Sequence, residues 1–288
     1  MKFSLFFSVL CLSTGVLFAQ AIIADHTTTD ITRIPEHAIK QAKAKLHIGY
    51  GHTSHGSQIT TGMKGLVAFA NKGGKGLRLE KDIFAFNNGG HNGALDLEEG
   101  SSNGCLPKDV GYKGWAEKTR DYLNDPSHAD VNVIMWSWCG QVNNFDEQGL
   151  KAHYLEPMSE LEKDFPQVTF VYMTGHLEGL GPEGSVYRSN QQIRDFCRQH
   201  GKVLFDFADI EKYDPDGLVN YGDLKASDSC DYRPAAGGKA NWAKDWQDSH
   251  TEGVDWYRCS SAHSQPLNAN MKAYAAWWLF ARLAGWNE

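Results

Sequence analysis

Val131-Asn132-Val133-Ile134-Met135-Trp136 is the stretch of this sequence that decides the fold. It is short, apolar and rich in β-branched residues, which is typical of a strand buried on both faces of a sheet. Weaker stretches of the same kind occur elsewhere along the chain, at residues 46–50, 82–86, 168–173 and 203–207. The sequence therefore predicts a sheet of five strands.

Segments with a helical period separate these strands. Apolar residues recur every three or four positions at residues 57–71, 115–124, 148–165, 186–200 and 266–286. Short strands that alternate with helices indicate a parallel sheet with helices on both faces. We therefore predict a single flavodoxin-like α/β domain at residues 22–288, with a long loop insertion at about 209–264.

The first residues have the pattern of a signal peptide. Lys2 precedes an apolar run at residues 3–19, and Ala19-Gln20-Ala21 has the small-x-small form of a cleavage site. The run is short for a membrane span, which favours a cleaved signal at residues 1–21 over an anchor. A secreted or periplasmic protein without a membrane partner is therefore expected.

The composition excludes other classes of protein. The 288 residues include 28 basic and 35 acidic side chains, giving a formal net charge of −7, and 41% of the residues are hydrophobic. An acidic chain without a basic run is poorly suited to bind nucleic acid, and the apolar content is too high for disorder. A small molecule or a polysaccharide is the expected partner.

Five cysteines would remain after export, and an oxidising compartment favours disulfides between them. Cys230 and Cys259 both lie in the long loop region, so we predict a disulfide between them that pins this region. Cys105 and Cys139 are the expected second pair. Cys197 lies on the apolar face of a predicted helix and is expected to be a buried free thiol.

The loops that follow the predicted strands carry many histidines. The carboxyl ends of parallel strands meet at one edge of the sheet, where ligands bind in such folds. Five of the chain's 12 histidines are expected at this edge, namely His52, His55, His91, His176 and His263. Such a concentration, with small and amide residues between the histidines, predicts an active site.

A serine hydrolase is one chemistry that could use this set of residues. Ser54, in a glycine-rich turn after the first strand, would attack a carbonyl, and His263 would take and return the proton. Thr53 and Ser57 are alternative hydroxyls in the same turn. Candidates for holding the oxyanion or the substrate are Gly90, His91, Gly93, Trp138, Gln141, Asn143 and His176.

Two other chemistries remain open from the residues alone. His52, His55 and His91 could be ligands of zinc or copper, whereas the serine mechanism needs no cofactor. A polysaccharide lyase could instead use a histidine or tyrosine to abstract a proton beside a uronate carboxylate.

The order of three motifs resembles the SGNH/GDSL hydrolase superfamily over most of the chain. These motifs are Ser54 after the first strand, Asn87-Asn88-Gly89-Gly90-His91-Asn92-Gly93 after the second, and His263 before the closing helix. The resemblance implies that Ser54 is the nucleophile and His263 the base. A glycine after the second strand, here Gly90 or Gly93, would help to hold the oxyanion.

Three positions depart from the pattern of that family. His52-Thr53-Ser54 replaces Gly-Asp-Ser, Cys139 stands near the place of the expected asparagine, and Ser260 replaces the aspartate that supplies the acid. Asp248 or Asp255 could then supply the acid, or a serine–histidine dyad could act alone. The altered motifs also leave room for a non-catalytic glycan-binding protein on a hydrolase scaffold.

The long loop region is rich in aromatic residues. Its large rings belong to Tyr232, Trp242, Trp246, Trp256 and Tyr257. They either pack the region itself or stack on the faces of sugar rings. Together with the expected export, the second interpretation predicts an esterase or deacetylase that acts on a carbohydrate.

Overall fold

The computed structural model describes residues 20–100, 106 and 108–288. The predicted signal peptide at 1–21 lies outside the described residues except for its last two positions, and Cys105 also lies outside them. Within the described ranges, no helix is both long enough and apolar enough to span a bilayer.

The described residues form a sheet of seven parallel strands, where five were predicted. The strands are β1 (Ile22–Ala24), β2 (His47–Gly51), β3 (Phe86–Asn87), β4 (Leu95–Glu99), β5 (Val133–Trp136), β6 (Thr169–Met173) and β7 (Val203–Phe205). Their order across the sheet is β1-β7-β6-β5-β2-β4-β3. The edge strands β1 and β3 have three and two residues, too few to show a periodicity in the sequence.

The order of the five inner strands indicates where a ligand would bind. Numbered by their order along the chain, they follow 2-1-3-4-5, one of the two common orders of doubly wound sheets. The direction of winding reverses between β2 and β5. In sheets of this order, ligands bind beyond the carboxyl ends of the strands at that switch point.

The predicted second strand at 82–86 is wrong. Residues 81–84 form a turn, and the strand that pairs with β2 is β4. The two leucines of β4 are buried in the core, and acidic residues alternate with them. The pattern is therefore alternating rather than uniformly apolar, and a search for apolar runs does not find it.

Helices cover both faces of the sheet. They are α1 (Glu36–Lys45), α2 (Ser57–Asn71), α3 (Trp115–Asn124), α4 (Glu147–Leu150), α5 (Glu156–Asp164), α6 (Ser185–Gln199), α7 (Phe207–Ile210), α8 (Trp242–Ser249) and α9 (Pro266–Leu283). The predicted helices at 57–71 and 115–124 are confirmed. A π-helical stretch at Lys151–Leu155 joins α4 to α5, so the helix predicted at 148–165 is found as this joined segment.

Two apolar cores lie on opposite sides of the sheet. Val133 and Met135 point into the core formed with α1, α2 and α9, whereas Ile134 and Trp136 point into the core formed with α3, α5 and α6. Successive side chains of a strand alternate between faces. This alternation explains why β5 is apolar at every position, and it confirms the prediction of a covered parallel sheet.

The long loop region is held without a disulfide. Cys230 and Cys259 are free thiols, so the pairing predicted between them is wrong, whereas the prediction that Cys197 is buried and free is confirmed. Cys139 is also a free thiol, and its predicted partner Cys105 lies outside the described residues. The region contains α8 and an antiparallel hairpin of β8 (Asp231–Tyr232) and β9 (Ala240–Asn241). Buried aromatic rings fix the segment to the core in place of a crosslink.

Candidate active site

The turn between β2 and α2 lies against the loop that follows β5. Gly56, the last residue of this turn, has no side chain, and a Cβ there would overlap Ser137 Oγ and His52 Cβ. The close approach therefore requires glycine at this position. It forms a crevice at the switch point between β2 and β5.

Ser54 and His263 are in contact in this crevice. His263 Nε2 lies 2.9 Å from Ser54 Oγ, although the residues are 209 positions apart in sequence. His263 is exposed and has a φ of 64°. The side-chain amide of Gln58 donates a hydrogen bond to the carbonyl oxygen of Ala262 at 2.6 Å, which fixes the backbone beside His263.

A thiol lies beside the Ser54 hydroxyl, and it has its own histidine. Cys139 follows β5, and its Sγ is 3.2 Å from His55 Nδ1. The other ring nitrogen, His55 Nε2, is 3.0 Å from Asp228 Oδ2. Ser54 Oγ is 3.6 Å from Cys139 Sγ, so the two nucleophilic atoms are neighbours.

The contacts around Cys139 change its ionisation and that of His55. The hydrogen bond with His55 lowers the pKa of the Cys139 thiol to about 6 against the effect of burial, with smaller contributions from Ser54 and Thr53. Burial by itself lowers the pKa of His55, but hydrogen bonds with Asp228 and Cys139 raise it to about 9. Cys139 and His55 therefore form a thiolate–imidazolium pair near neutral pH.

Three imidazole rings are stacked in the crevice. The His55 ring lies 4.5 Å from the His263 ring and 4.0 Å from the His176 ring, measured between centroids. His176 Nδ1 is 2.8 Å from the carbonyl oxygen of Leu177. Because His55 contacts Cys139 and His263 contacts Ser54, the stack places the two pairs side by side.

A buried polar network supports both sides of the crevice. Lys272 of α9 and Glu211 are fully buried, and their Nζ and Oε1 atoms are 2.6 Å apart. Lys272 also donates a hydrogen bond to Gln58, which holds the segment that carries His263. Glu211 accepts a hydrogen bond at 2.8 Å from the backbone N–H of Leu177, in the loop after β6.

The structure brings Ser54, His55, His176 and His263 together, as the sequence predicts. His52 belongs to the same turn, but its Nε2 is 3.2 Å from Glu99 Oε2, at the end of β4. Its ring therefore bonds to the neighbouring strand rather than to either nucleophile.

The alternative hydroxyls of the turn are already engaged. Thr53 Oγ1 donates a hydrogen bond to Asp109 Oδ2 at 2.6 Å, and Ser57 Oγ donates one to the carbonyl oxygen of Ser54 at 2.7 Å. Ser54 is the hydroxyl of this turn that contacts a histidine.

Gly90, His91 and Gly93 do not lie at the crevice, and their predicted placement is wrong. They lie in the loop between β3 and β4. The backbone N–H of Gly89 in this loop donates a hydrogen bond to Asp96 Oδ1 at 2.7 Å. Asp96 pairs with His47, the first residue of β2. The crevice follows the last residue of that strand, about 13 Å away at 3.3 Å per residue. The error follows from the misplaced second strand.

The residues predicted after β5 have different surroundings. Trp138 is 2% exposed and packs edge-on against Tyr154, so it belongs to the core. The Gln141 side chain packs over Gly111, and Asn143 is exposed. Trp138 is thus excluded as a substrate contact by its burial.

The sequence analysis missed the roles of Cys139 and Asp228. Cys139 directly follows the strongest strand, and the rule that identified Ser54 also applies to it, but we had assigned it to a disulfide. Asp228 has no local signal, because it lies 173 positions from His55. Neither of the acids predicted to assist His263 contacts it. Asp255 accepts a hydrogen bond from the Thr251 N–H, and Asp248 has no bond to His263 within the described chain.

Backbone donors are available near Ser54. The N–H groups of Ser54, His55 and Gly56 meet no acceptor among residues 20–100, 106 and 108–288. They immediately precede α2, and the N-terminus of a helix favours negative charge. The turn itself can therefore hold an oxyanion in place of the glycines predicted for this role.

The crevice fits a metal ion poorly. The predicted ligand set fails because His91 lies in the loop between β3 and β4, away from His52 and His55. His55, His176 and Asp228 could bring three ligand atoms within 4.8 Å of one another. However, the two rings are parallel to within 6°, and an ion cannot lie in the planes of two stacked rings at once. Both nitrogens of His55 are also already hydrogen-bonded.

A separate cavity lies elsewhere on the surface. A groove of about 970 Å³ runs between α5 and α6, and its lining includes Lys151, Glu156, Tyr187 and Gln192. Its lining contains none of the crevice residues and no nucleophile beside a base. Convergent chemistry rather than volume therefore identifies the candidate site.

Comparisons of the chain with protein-family models, with curated proteins and with solved structures give no match.

Proposed function

We propose that this chain is an acyl-ester hydrolase in which Ser54 is the nucleophile and His263 is the base. The distance of 2.9 Å between Ser54 Oγ and His263 Nε2 carries the proposal. The location of this pair at the switch point of a 2-1-3-4-5 sheet also supports the flavodoxin-like and SGNH-like assignment predicted from the motif order.

The reaction would proceed in two acyl-transfer steps. Ser54 Oγ attacks the acyl carbon while its proton passes to His263 Nε2, and the N–H groups of residues 54–56 hold the oxyanion. His263 then protonates the leaving alcohol. A water molecule that gives its proton to His263 attacks the acyl-serine, and the proton returns to Ser54 as the acid is released.

The surroundings of His263 favour a dyad rather than a triad. No carboxylate bonds to His263 in the described parts of the chain. With an ionised thiol, Cys139 and Asp228 carry two negative charges and His55 one positive charge, so the cluster beside His263 has one net negative charge.

We propose that the substrate is an acyl group, such as acetyl, on a carbohydrate, and that the protein is exported. The exposure of His263 supports access of a large substrate to the crevice. Four aromatic rings of the long loop region do not add support, because Trp242, Trp246, Trp256 and Tyr257 are at most 8% exposed and pack in the core. The carbohydrate therefore depends on the sequence arguments.

Replacing Ser54 tests the proposal. Ser54→Ala should lower the release of acetate from an acetylated oligosaccharide by at least about a thousandfold, because the nucleophile is lost. Ser57→Ala is the matched control and should remain within about tenfold of the wild type. Turnover by Ser54→Ala at the wild-type rate would remove Ser54 from the mechanism.

The same assay separates the rival functions. An unsaturated product that absorbs in the ultraviolet would indicate a lyase. Binding of acetylated glycans by the wild type without any release of acetate would indicate a non-catalytic glycan-binding protein. Either result would overturn the hydrolase proposal.

A further inference from the structure

Cys139, His55 and Asp228 have the connectivity of a complete nucleophile–base–acid triad. One ring nitrogen of His55 contacts the thiol and the other contacts the carboxylate, at 3.2 Å and 3.0 Å. The triad is built from three separate segments: the loop after β5, the turn after β2 and the long loop region. Its nucleophilic atom lies 3.6 Å from Ser54 Oγ, so a carbonyl group bound near Ser54 is also close to Cys139.

We propose that Cys139, His55 and Asp228 form a second nucleophilic site in this crevice, one that accepts acyl groups from thioesters and aryl esters. This inference extends the proposed acyl-transfer function of the same crevice. It assigns a chemical class of substrate to each nucleophile.

The leaving group distinguishes the two nucleophiles. When the Cys139 thiolate attacks an ester, the tetrahedral intermediate expels either Cys139 or the leaving group, and the weaker base leaves faster. The thiol of Cys139 has a pKa of about 6. A simple alcohol is a far stronger base when ionised, with a pKa near the value of about 16 for water, whereas a thiol has about 8.5 and a phenol about 10. Cys139 is the weaker base in every case, but the gap is about 2.5 pKa units for a thiol and about 4 for a phenol, against about 10 for an alcohol. Proton donation from His55 to the leaving group can offset the two small gaps but not the large one, so thioesters and aryl esters go forward and alkyl esters return to the thiolate.

Each step is balanced in atoms and protons. The C–S bond to Cys139 forms, the bond from the acyl carbon to the leaving group breaks, and the proton on His55 Nδ1 passes to the leaving thiol or phenol. His55 Nδ1, now neutral, takes a proton from water. The hydroxide attacks the S-acyl group, and the thiolate leaves, which restores the ion pair with His55.

Several groups set the pH range of this chemistry. His263 and His176 stack on the two faces of His55, and Asp228, Cys139 and Glu211 interact with it electrostatically. Below about pH 6 Cys139 becomes protonated, and above about pH 9 His55 loses its proton. Turnover through Cys139 should therefore be highest between these values and fall on both sides.

The experiment uses Ser54→Ala, Cys139→Ala and the double variant of the full chain. The substrates are an acetylated oligosaccharide, an acetyl thioester of a small thiol and p-nitrophenyl acetate. Ser54→Ala should keep thioester turnover within about tenfold of the wild type. After rapid acid quenching of this variant, mass spectrometry should find the acetyl group of the thioester on the peptide that contains Cys139. Neutral hydroxylamine should remove this acetyl group.

The outcomes separate this inference from the proposed function. Loss of thioester turnover in Ser54→Ala, with no acetyl group on Cys139, overturns the second site and leaves the Ser54 proposal standing. Retention of oligosaccharide deacetylation by Ser54→Ala overturns the Ser54 proposal instead. Cys139→Ala should lose at least about tenfold in thioester turnover while deacetylating the oligosaccharide.

A measurement on the wild type guards against misfolded variants. The rate of alkylation of Cys139 by iodoacetamide should rise with pH around pH 6. Cys259 is the internal control, because it is also partly exposed but burial raises its pKa to about 12. Alkylation of Cys139 that rises only near pH 9, as for an ordinary thiol, contradicts the proposal.

Discussion

The two nucleophiles of the crevice are held in opposite ways. The proposed base of Ser54 is the exposed His263, which has one hydrogen bond and no carboxylate partner in the described chain. The base of Cys139 is His55, which is 5% exposed and bonded through both ring nitrogens. The atoms that would react are neighbours, yet their bases differ in burial and in charge.

This difference shows how surroundings decide the timing of proton transfer. In the proposed mechanism, the proton of Ser54 moves to His263 while the bond to the substrate forms. Cys139 and His55 are already an ion pair at neutral pH, which requires a partly buried thiolate and imidazolium stabilised by Asp228. In our proposals, the serine therefore acts on substrates with poor leaving groups and the preformed thiolate on those with good ones.

Removing the shared support beneath the crevice should have the largest effect, and it should remove the difference between the pairs. Lys272→Met leaves the fully buried Glu211 without its partner. We expect a loss of about 3–5 kcal/mol in the free energy of unfolding, measured by urea denaturation, with both activities reduced together. Lys244→Met, at an exposed position, is the control and should stay within about 0.5 kcal/mol of the wild type. An unchanged midpoint for Lys272→Met would show that the buried pair does not support the crevice.

A smaller effect is expected at the contact between the two loops. Gly56→Ala introduces a Cβ that overlaps Ser137 and His52, and we expect a cost of about 1–3 kcal/mol. This corresponds to a fall in Tm of several degrees by calorimetry. Gly140→Ala, beside Cys139, places its Cβ in open space and is the control. Equal Tm values for the two variants would argue against the close approach of the loops.

The smallest change should separate the pairs most sharply. Asp228→Asn removes the carboxylate that raises the pKa of His55, so the ion pair with Cys139 weakens. We expect the pKa of Cys139 to rise from about 6 toward that of an ordinary thiol. A rise of about two units lowers the thiolate fraction at pH 7 from about nine-tenths to about one-tenth, so alkylation of Cys139 should slow by about tenfold. Ester hydrolysis through Ser54 should change less than about threefold. Asp223→Asn, at an exposed carboxylate, should change neither rate. An equal loss in both rates for Asp228→Asn would mean that the pairs act as one unit.

Much of the fold follows from local patterns. The helices at Ser57–Asn71 and Trp115–Asn124 match their predicted bounds, because their apolar stripes face a core. The strand at Leu95–Glu99 was missed because only one of its faces is apolar. The edge strands β1 and β3 are too short to show a pattern. They are defined by pairing, β1 with the distant β7 and β3 with β4.

The long loop region was the least predictable part of the chain. Cysteines in a chain expected to be exported suggested crosslinks, but Cys230 contacts Ser264 and Cys259 contacts Asn270 instead. Burial of the loop's tryptophans provides the attachment that we had assigned to a disulfide. Their spacing alone does not reveal which side of each ring is covered.

The sequence by itself determined that Ser54, His55 and Cys139 end up at one edge of a parallel sheet, because each directly follows a strand and all strands point the same way. Only the tertiary structure decided the partners of these residues. Asp228 lies 173 positions from His55, and His263 lies 209 positions from Ser54. Their placement depends on buried contacts such as Lys272 with Glu211, which are set by how the whole core packs. Local periodicity contains no information about such contacts.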